Sequence, residues 1–230
     1  ENGLLKFNLK FGGVLVGTRE ADGSITPASL PLDFGAGMPG LSIDIDAALE
    51  AEISSLMGLG LGIGNVAPAG QPGKFGVMLD TSGINASGHE IVLKARAGLA
   101  EGSRASGTLG FLMMDFVDVR SGGSGLTGTL YLDIADGGRD GAWTPGEKLI
   151  LELGASAQAN AELFAKVSTT AGDILPSVST TIVYHQVLGK ATLSTSGGAK
   201  FEMGSPELTL RDVKLDVGSM FESFLGDTFS

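Results

Sequence analysis

The chain has 230 residues, of which 37 are glycine, 43% are hydrophobic and none is cysteine, so disulfides, thiolate zinc sites and cysteine nucleophiles are excluded. Fifteen basic and 26 acidic residues give a net charge of −11 without a Lys/Arg cluster, which argues against nucleic acid or an anionic membrane surface as a partner. No apolar run reaches about 18 residues, so we expect no membrane-spanning helix.

The N-terminal third of the chain has the period-two pattern of β-strands. The opening LLKFNLKFGGVLVG is predicted to be a strand rather than a signal peptide, which is expected of a mature product or of one module of a longer protein. Leu41–Ile53 alternates without interruption, with Asp44, Asp46, Glu50 and Glu52 on one side and aliphatic residues on the other. This pattern predicts a half-buried strand with a charged outer face.

Strand patterns continue to the C-terminal region, separated by turn-forming stretches rich in Gly, Pro, Asn and Ser. The predicted strands are GLGLGIG, KFGVMLDT, HEIVLKARAGL, GTLGFLMMDFVDVR, GLTGTLYLDIA, KLILEL, ASAQANAELFAKV, STTIVYHQV, KATLSTS, AKFEM and ELTLRDVKLDV. Helix propensity also permits a helix for the Ala/Glu-rich runs, but their unbroken alternation favours strands. Residues 1–230 are therefore predicted to be a single, mainly β domain, or one unit of a tandem array, built as a large antiparallel sandwich or flattened barrel.

The last residues change to a helical period. Met220, Phe221, Phe224 and Leu225 form one stripe, while Ser219 and Glu222 have the spacing of a capping box. This pattern predicts a short amphipathic C-terminal helix. Its apolar stripe can close an open end of its own sheet or dock onto another copy of the module.

Motifs of enzyme active sites are missing from the sequence. The two histidines lie apart within strand patterns, and no G-x-S-x-G elbow or P-loop occurs. GIGNVA matches a dinucleotide fingerprint only formally, because Pro68 and Pro72 follow where its helix would begin. The sequence therefore predicts a protein that is not an enzyme.

The stretch DGGRDGAWTPGE, from Asp136 to Glu147, has the spacing of a calcium loop. The candidate ligands, in loop positions 1, 5, 7, 9 and 12, are Asp136, Asp140, the Ala142 carbonyl, Thr144 and Glu147. Position 3 is Gly138, which offers no ligand, and Asp133 is a candidate replacement if its strand bends toward the ion. The alternative is an ordinary acidic hairpin turn that tucks Trp143 inward. With one ligand missing, we expect calcium to bind weakly, at about 10⁻⁴ to 10⁻³ M.

Three features together resemble a repeat unit of giant secreted bacterial calcium-binding surface proteins, a class of repeat-rich adhesins. They are the D…DG…W…E loop, the LPSVST turn from Leu175 to Thr180, and the closing V-x-L-D-V-G-x-x-F-x-x-F-L-G from Val213 to Gly226. The resemblance implies an extracellular or cell-surface location and a calcium role for Asp136, Asp140 and Glu147. The G-G-x-G-x-D nonapeptide of a parallel calcium β-roll is not met, because Thr127 stands in place of its aspartate.

The sequence thus predicts a non-enzymatic extracellular structural or adhesive module that is braced by calcium. Its expected partners are copies of itself, in tandem, as a homo-oligomer or as a filament, contacted through the C-terminal helix. A carrier that holds a lipid-like apolar ligand between its sheets is the first alternative. An enzyme and an outer-membrane barrel are further alternatives, although the chain lacks the aromatic girdles of such a barrel.

Overall fold

The computed structural model describes residues 4–66, 73–83, 88–138, 141–170 and 174–218, and most of these residues lie in β-strands. The predicted mainly β fold class is confirmed. In chain order the strands are β1 (Leu4–Val16), β2 (Thr18–Arg19), β3 (Ile25–Thr26), β4 (Ala28–Met38), β5 (Leu41–Val66), β6 (Lys74–Asp80), β7 (Ile91–Leu99), β8 (Arg104–Leu109), β9 (Leu112–Asp118), β10 (Gly125–Asp136), β11 (Ala142–Trp143), β12 (Leu149–Thr169), β13 (Ser177–Ser194), β14 (Gly198–Glu202) and β15 (Glu207–Asp216).

The predicted C-terminal helix, with Met220, Phe221, Phe224 and Leu225, lies outside the described residues, which end at residue 218. The elements of the described ranges include no helix, so the structure gives no support to this helix. Within the same ranges, no helix has the length and apolar character needed to cross a membrane.

Hydrogen-bond pairing joins 13 strands into one antiparallel sheet, and β2 and β3 form a separate two-stranded sheet. Pairing passes from β5 through β7, β10, β12, β9 and β8 and returns to β5, so the β7–β10 pair and the β8–β9 pair each connect β5 to β12. Strands β1, β4 and β6 also pair with β5, while β13 pairs with β12 and carries β14 and β15. The predicted antiparallel pairing of the strands is therefore confirmed.

Two long strands organise this sheet. Strand β5 has 26 residues and carries β4 and β1 end to end along one side, with β8, β7 and β6 end to end along the other. Strand β12 has 21 residues and carries β9 and β10 along one side and β13 along the other. Segments 100–103 and 119–124 fill the gaps between these shorter strands. Ala100 N donates to Ala48 O at 2.8 Å, and Val119 N donates to Glu162 O at 3.0 Å.

Several strand boundaries differ from the prediction. GTLGFLMMDFVDVR was predicted to be one strand, but it contains the turn of the β8–β9 hairpin at Gly110 and Phe111. Gly110 has a φ of +61°, a left-handed conformation that glycine adopts at little cost. Strand β4 was not predicted, whereas β12 and β13 each join two strands that were predicted to be separate.

The register divides the side chains of the large sheet between two faces, because directly opposed residues of antiparallel strands project to the same side. We call one side the apolar face. In β1 (as far as Gly13), β5, β6, β7, β8, β12 and β14, this face consists of the odd-numbered residues. In β4, β9 and β10 it consists of the even-numbered residues. In β13 and β15 it consists of the residues that pair, directly or through β13, with the odd-numbered residues of β12. The other side, the charged face, carries Asp44, Asp46, Glu50 and Glu52, as predicted for Leu41–Ile53.

The apolar face is largely exposed. Leu41, Ile43 and Leu49, predicted to be the buried side of their strand, are 37%, 45% and 42% exposed, so this part of the prediction is wrong. Within the described ranges the buried hydrophobic residues are Met78, Val92 and Ala165. The physical reason is that the large sheet is a single layer over most of its extent, so alternation supplies an apolar face without a second layer to cover it.

Glycines in β5 allow close packing on the charged face. Gly58, Gly60, Gly62 and Gly64 are all buried on this face. A Cβ at Gly62 would lie 2.5 Å from Met78 Cγ, so the methionine of the neighbouring strand lies directly across the glycine. Gly60 and Gly62 therefore accommodate the Asp80 and Met78 side chains of β6.

Candidate metal centre

The acidic loop, residues 136–147, connects β10 to β12 through β11. Asp136 and Leu149 form the last pair of the β10–β12 ladder, and Gly137 N donates to Lys148 O at 2.8 Å to close the base of the loop. Gly141, at the sixth loop position, has a φ of +82°, as the sharp turn of a calcium loop requires. The strands on both sides confirm that the loop is not part of a helix–loop–helix unit.

The first and last carboxylates of the loop converge on Gly138. A Cβ placed on Gly138 would lie 3.3 Å from Asp136 Oδ2 and 3.6 Å from Glu147 Oε1. Asp136 is only 4% exposed, although it is a charged residue at a strand end. Gly138 therefore leaves open the space between two carboxylates that the sequence places eleven residues apart.

Thr144 adds an unsatisfied hydroxyl to the loop. It is 4% exposed, and its Oγ1 is buried without a hydrogen-bond partner. A buried polar atom left unpaired costs about 1–3 kcal/mol, so a bound cation would remove a real penalty here. Its backbone N–H donates to Glu147 Oε2 at 2.8 Å, which holds that carboxylate against the loop.

Trp143 fixes the closing half of the loop. Its indole Nε1–H donates to Glu147 O at 2.9 Å, and Glu147 N donates to Thr144 O at 3.0 Å. The tryptophan is therefore tucked against the loop, an arrangement that fits both a calcium loop and an ordinary acidic hairpin turn. This arrangement positions Glu147 whether or not a metal is bound.

A neighbouring strand contributes residues that the linear motif does not contain. Thr81 Oγ1 donates to Asp136 Oδ1 at 3.0 Å, and Thr81 N donates to Gly141 O at 3.0 Å. Strand β11 pairs with the end of β6, with Ala142 opposite Asp80. Because Thr81 lies 55 residues before Asp136, only tertiary structure brings it to the loop.

The remaining predicted ligands differ in their placement. Asp140 lies outside the described residues. Asp133 lies on the charged face of β10, opposite in direction to Asp136, and its Oδ1 is 3.4 Å from His89 Nδ1. The structure therefore does not bring Asp133 to the other ligands.

The oxygen donors present suit a hard cation such as calcium, since carboxylate, hydroxyl and carbonyl oxygens are its preferred ligands. Among the described residues, which leave out Asp140, no group of three or more His, Asp or Glu side chains is close enough to hold a metal ion. Calcium binding would therefore rely on Asp136, Glu147 and non-carboxylate oxygens, with Asp140 as the further acid supplied by the sequence.

A second polar cluster lies near the start of β7. Glu90 is 2% exposed, and its Oε2 accepts a hydrogen bond of 2.6 Å from Ile134 N. Burial raises the pKa of Glu90 above its ordinary value, and the nearby Asp133 carboxylate raises it further. The His89 ring stacks on Tyr131 with centroids 4.0 Å apart. The cluster ties the segment before β7 to β10.

Comparison of the chain with protein-family models, with curated proteins and with solved structures gives no match.

Proposed function

We propose that this chain is a non-enzymatic structural module of the cell exterior, in which a calcium ion in the acidic loop braces a large β-sheet and copies of the module assemble with one another. The observation that carries the proposal is the convergence of Asp136 Oδ2 and Glu147 Oε1 around Gly138, beside the unpaired buried hydroxyl of Thr144. The second oxygen of each carboxylate accepts a hydrogen bond, Asp136 Oδ1 from Thr81 Oγ1 and Glu147 Oε2 from Thr144 N, which holds both carboxylates in place. Carboxylate and hydroxyl oxygens match the ligand preference of calcium.

Calcium at this position would act as a structural brace. Asp136 ends β10, Glu147 precedes β12, and Thr81 connects Asp136 to the segment after β6. An ion bound by Asp136 and Glu147 would link the end of β10 to the segment before β12 and, through Thr81, to the segment after β6. Losing the ion would loosen the β6–β11 corner first, because only two residue pairs join these strands.

The expected strength of the site favours bracing over sensing. With an affinity of about 10⁻⁴ to 10⁻³ M, about 1 mM calcium adds only about 0.4–1.4 kcal/mol to the free energy of unfolding. This range matches extracellular calcium and lies far above cytosolic levels. The excess of acidic residues and the lack of cysteine are compatible with that location.

Thermal unfolding with calcium and with a chelator tests the brace. For the parent chain we expect a melting temperature higher by about 1–5 °C in 1 mM calcium, since about 1 kcal/mol corresponds to about 2–4 °C at this chain length. Asp136→Asn should lose this calcium-dependent difference, because it weakens one of the two carboxylate ligands.

Asp115→Asn is the matched control. Asp115 lies on the charged face of β9, so this substitution removes the same charge away from the loop. It should keep the calcium-dependent shift of the parent. A parent chain that melts at the same temperature in calcium and in chelator would contradict the brace.

A carrier for an apolar ligand is the second candidate function. A cavity of about 370 Å³ is lined mainly by apolar residues, among them Leu32, Ile45, Leu99, Phe116 and Leu163, and its polar lining residues are Ser103, Arg104 and Asp118. A site of this size and lining favours one acyl chain or a similar ligand. Native mass spectrometry of the purified chain tests this function, since a bound lipid would favour the carrier over the structural module.

A further inference from the structure

The apolar face combines a wide exposed hydrophobic surface with a lack of exposed charge. In the described strands, the charged residues on this face are Asp118 and Asp136, which are 2% and 4% exposed. Large side chains cover both margins of the face. Phe34 and Met38 lie on one margin, and Leu208 lies on the other, and all three are more than half exposed.

The exposed area is too large for a compact monomer. A globular monomer of 23.3 kDa has an accessible surface of about 9,700 Å², whereas this chain exposes 14404 Å². The difference is about 4,700 Å², and a stable homodimer needs about 1,000–2,500 Å² from each partner. The apolar face can therefore supply a dimer interface and still leave the strand edges in water.

We propose that the apolar face is covered by the apolar face of a second copy of this chain. This inference rests on the proposed assembly function and identifies the surface through which it occurs. Two sheets stacked about 10 Å apart form a two-layer sandwich, which is the usual way to bury the inner faces of antiparallel sheets. The sequence pattern predicts assembly through the C-terminal helix, whereas the sheet itself offers a larger surface.

Charge favours a second copy over an anionic membrane as the occupant. The charged residues that the described strands place on the apolar face, Asp118 and Asp136, are buried, so stacking two apolar faces brings no exposed charges of these strands into the interface. An anionic lipid surface would instead repel the acidic chain. Because the charged residues on the apolar face of the described strands are buried, the face is compatible with itself, as the isologous interface of a twofold dimer requires.

A row of small residues shapes the interface. Ala95, Gly128, Ala157 and Gly189 lie side by side across four strands of the apolar face. This row forms a shallow depression between larger side chains, where projecting side chains of the second copy can pack. Small residues at such positions let two sheets approach closely.

Sedimentation equilibrium of Leu130→Glu and Thr129→Glu tests the interface. The two residues are neighbours in β10 but lie on opposite faces, with Leu130 on the apolar face at 43% exposure. Both variants add one negative charge, and Thr129→Glu places it beside Lys94 of β7. We expect a dimeric parent, a dimer at least tenfold weaker in Leu130→Glu, and an unchanged dimer in Thr129→Glu.

The outcomes separate the interface from the assembly function. If the parent forms oligomers and Leu130→Glu retains them, the apolar face is not the interface, although the assembly function survives. If the parent is strictly monomeric, with or without bound lipid, both the interface and the assembly function are overturned. Circular dichroism confirms that each variant keeps its β structure before the comparison.

Alkylation of single cysteines provides a second measurement, because the chain has no cysteine of its own. Ala155 and Ser156 are both exposed neighbours in β12, on the apolar and charged faces respectively. We expect Ala155→Cys to react with a maleimide at least tenfold more slowly than Ser156→Cys at dimer-forming concentration, and equally fast after dilution. Equal rates at both concentrations would overturn the interface.

Discussion

Replacing Gly138 with aspartate supplies the ligand that the calcium motif lacks, and it separates the effects of charge and metal. A Cβ at Gly138 would lie within 3.6 Å of both Asp136 Oδ2 and Glu147 Oε1, so the new carboxylate enters between two existing ones. Like charges about 4 Å apart repel by about 1 kcal/mol in water and about 4 kcal/mol at a protein-like dielectric. Because Gly138 is exposed, we expect the lower value, about 1 kcal/mol of destabilisation in chelator.

Calcium should reverse this loss. A fourth acid that tightens calcium binding about tenfold adds up to about 1.4 kcal/mol at saturating calcium. The melting temperature of Gly138→Asp is therefore expected to be about 2–4 °C below the parent in chelator and close to the parent in about 1 mM calcium. Differential scanning calorimetry under both conditions measures the two temperatures.

Gly138→Ala is the control, because it adds the Cβ without a charge and should shift both melting temperatures equally. If Gly138→Asp melts at the parent temperature in chelator, or if calcium does not narrow the gap to the parent, the carboxylates do not converge on this position as a calcium site.

Two further predictions concern the fold. Glu90→Gln should gain stability relative to the parent as the pH rises above about 4.5, because the raised pKa of Glu90 makes the folded parent keep a proton that the unfolded chain has lost, and this difference lowers the parent's free energy of unfolding. Denaturant unfolding of both proteins at pH 4 and pH 7 measures this gain. A difference in the free energy of unfolding that does not change with pH would contradict it. Gly62→Ala should lower the free energy of unfolding by about 1–3 kcal/mol, because the new methyl group meets the Met78 side chain. The control is Gly35→Ala, whose Cβ has no atom within 4 Å and which should change the free energy of unfolding by less than about 0.5 kcal/mol. Equal unfolding midpoints for the two variants would contradict close packing at Gly62.

Period-two alternation was sufficient to predict most strands, but not where they end. Gly154 separates two predicted strands, whereas the structure continues β12 through it and places the Tyr131 ring directly across it. A glycine in a strand can therefore mark a packed side chain instead of a turn. The β8–β9 turn was missed for the opposite reason, since the apolar run around Gly110 lacks the polar cluster of most turns.

The candidate site was predictable only in part. The motif predicts that Asp136 and Glu147 lie near each other, and both carboxylates lie beside Gly138, because loop spacing is a local property of the chain. The position of Asp133 also follows from sequence, since residues three apart in a strand point to opposite faces. The contribution of Thr81 was not predictable, because it depends on β6 pairing with β11 across the sheet.

Alternation could not indicate whether the apolar side of the sheet is covered. A buried strand and an exposed amphipathic strand have the same pattern, and the difference depends on a second layer that the pattern does not specify. Leu41 and Ile43 are examples, because their alternation is regular and their side chains are exposed.

The fluorescence of Trp143 during a calcium titration tests the central claim most directly, because it is the only tryptophan in the chain and its indole is bound to Glu147 O within the acidic loop. We predict a saturable change with a midpoint of about 10⁻⁴ to 10⁻³ M that is lost in Glu147→Gln. A signal that stays constant up to about 10 mM calcium, or an identical titration of Glu147→Gln, would contradict a calcium ion in this loop.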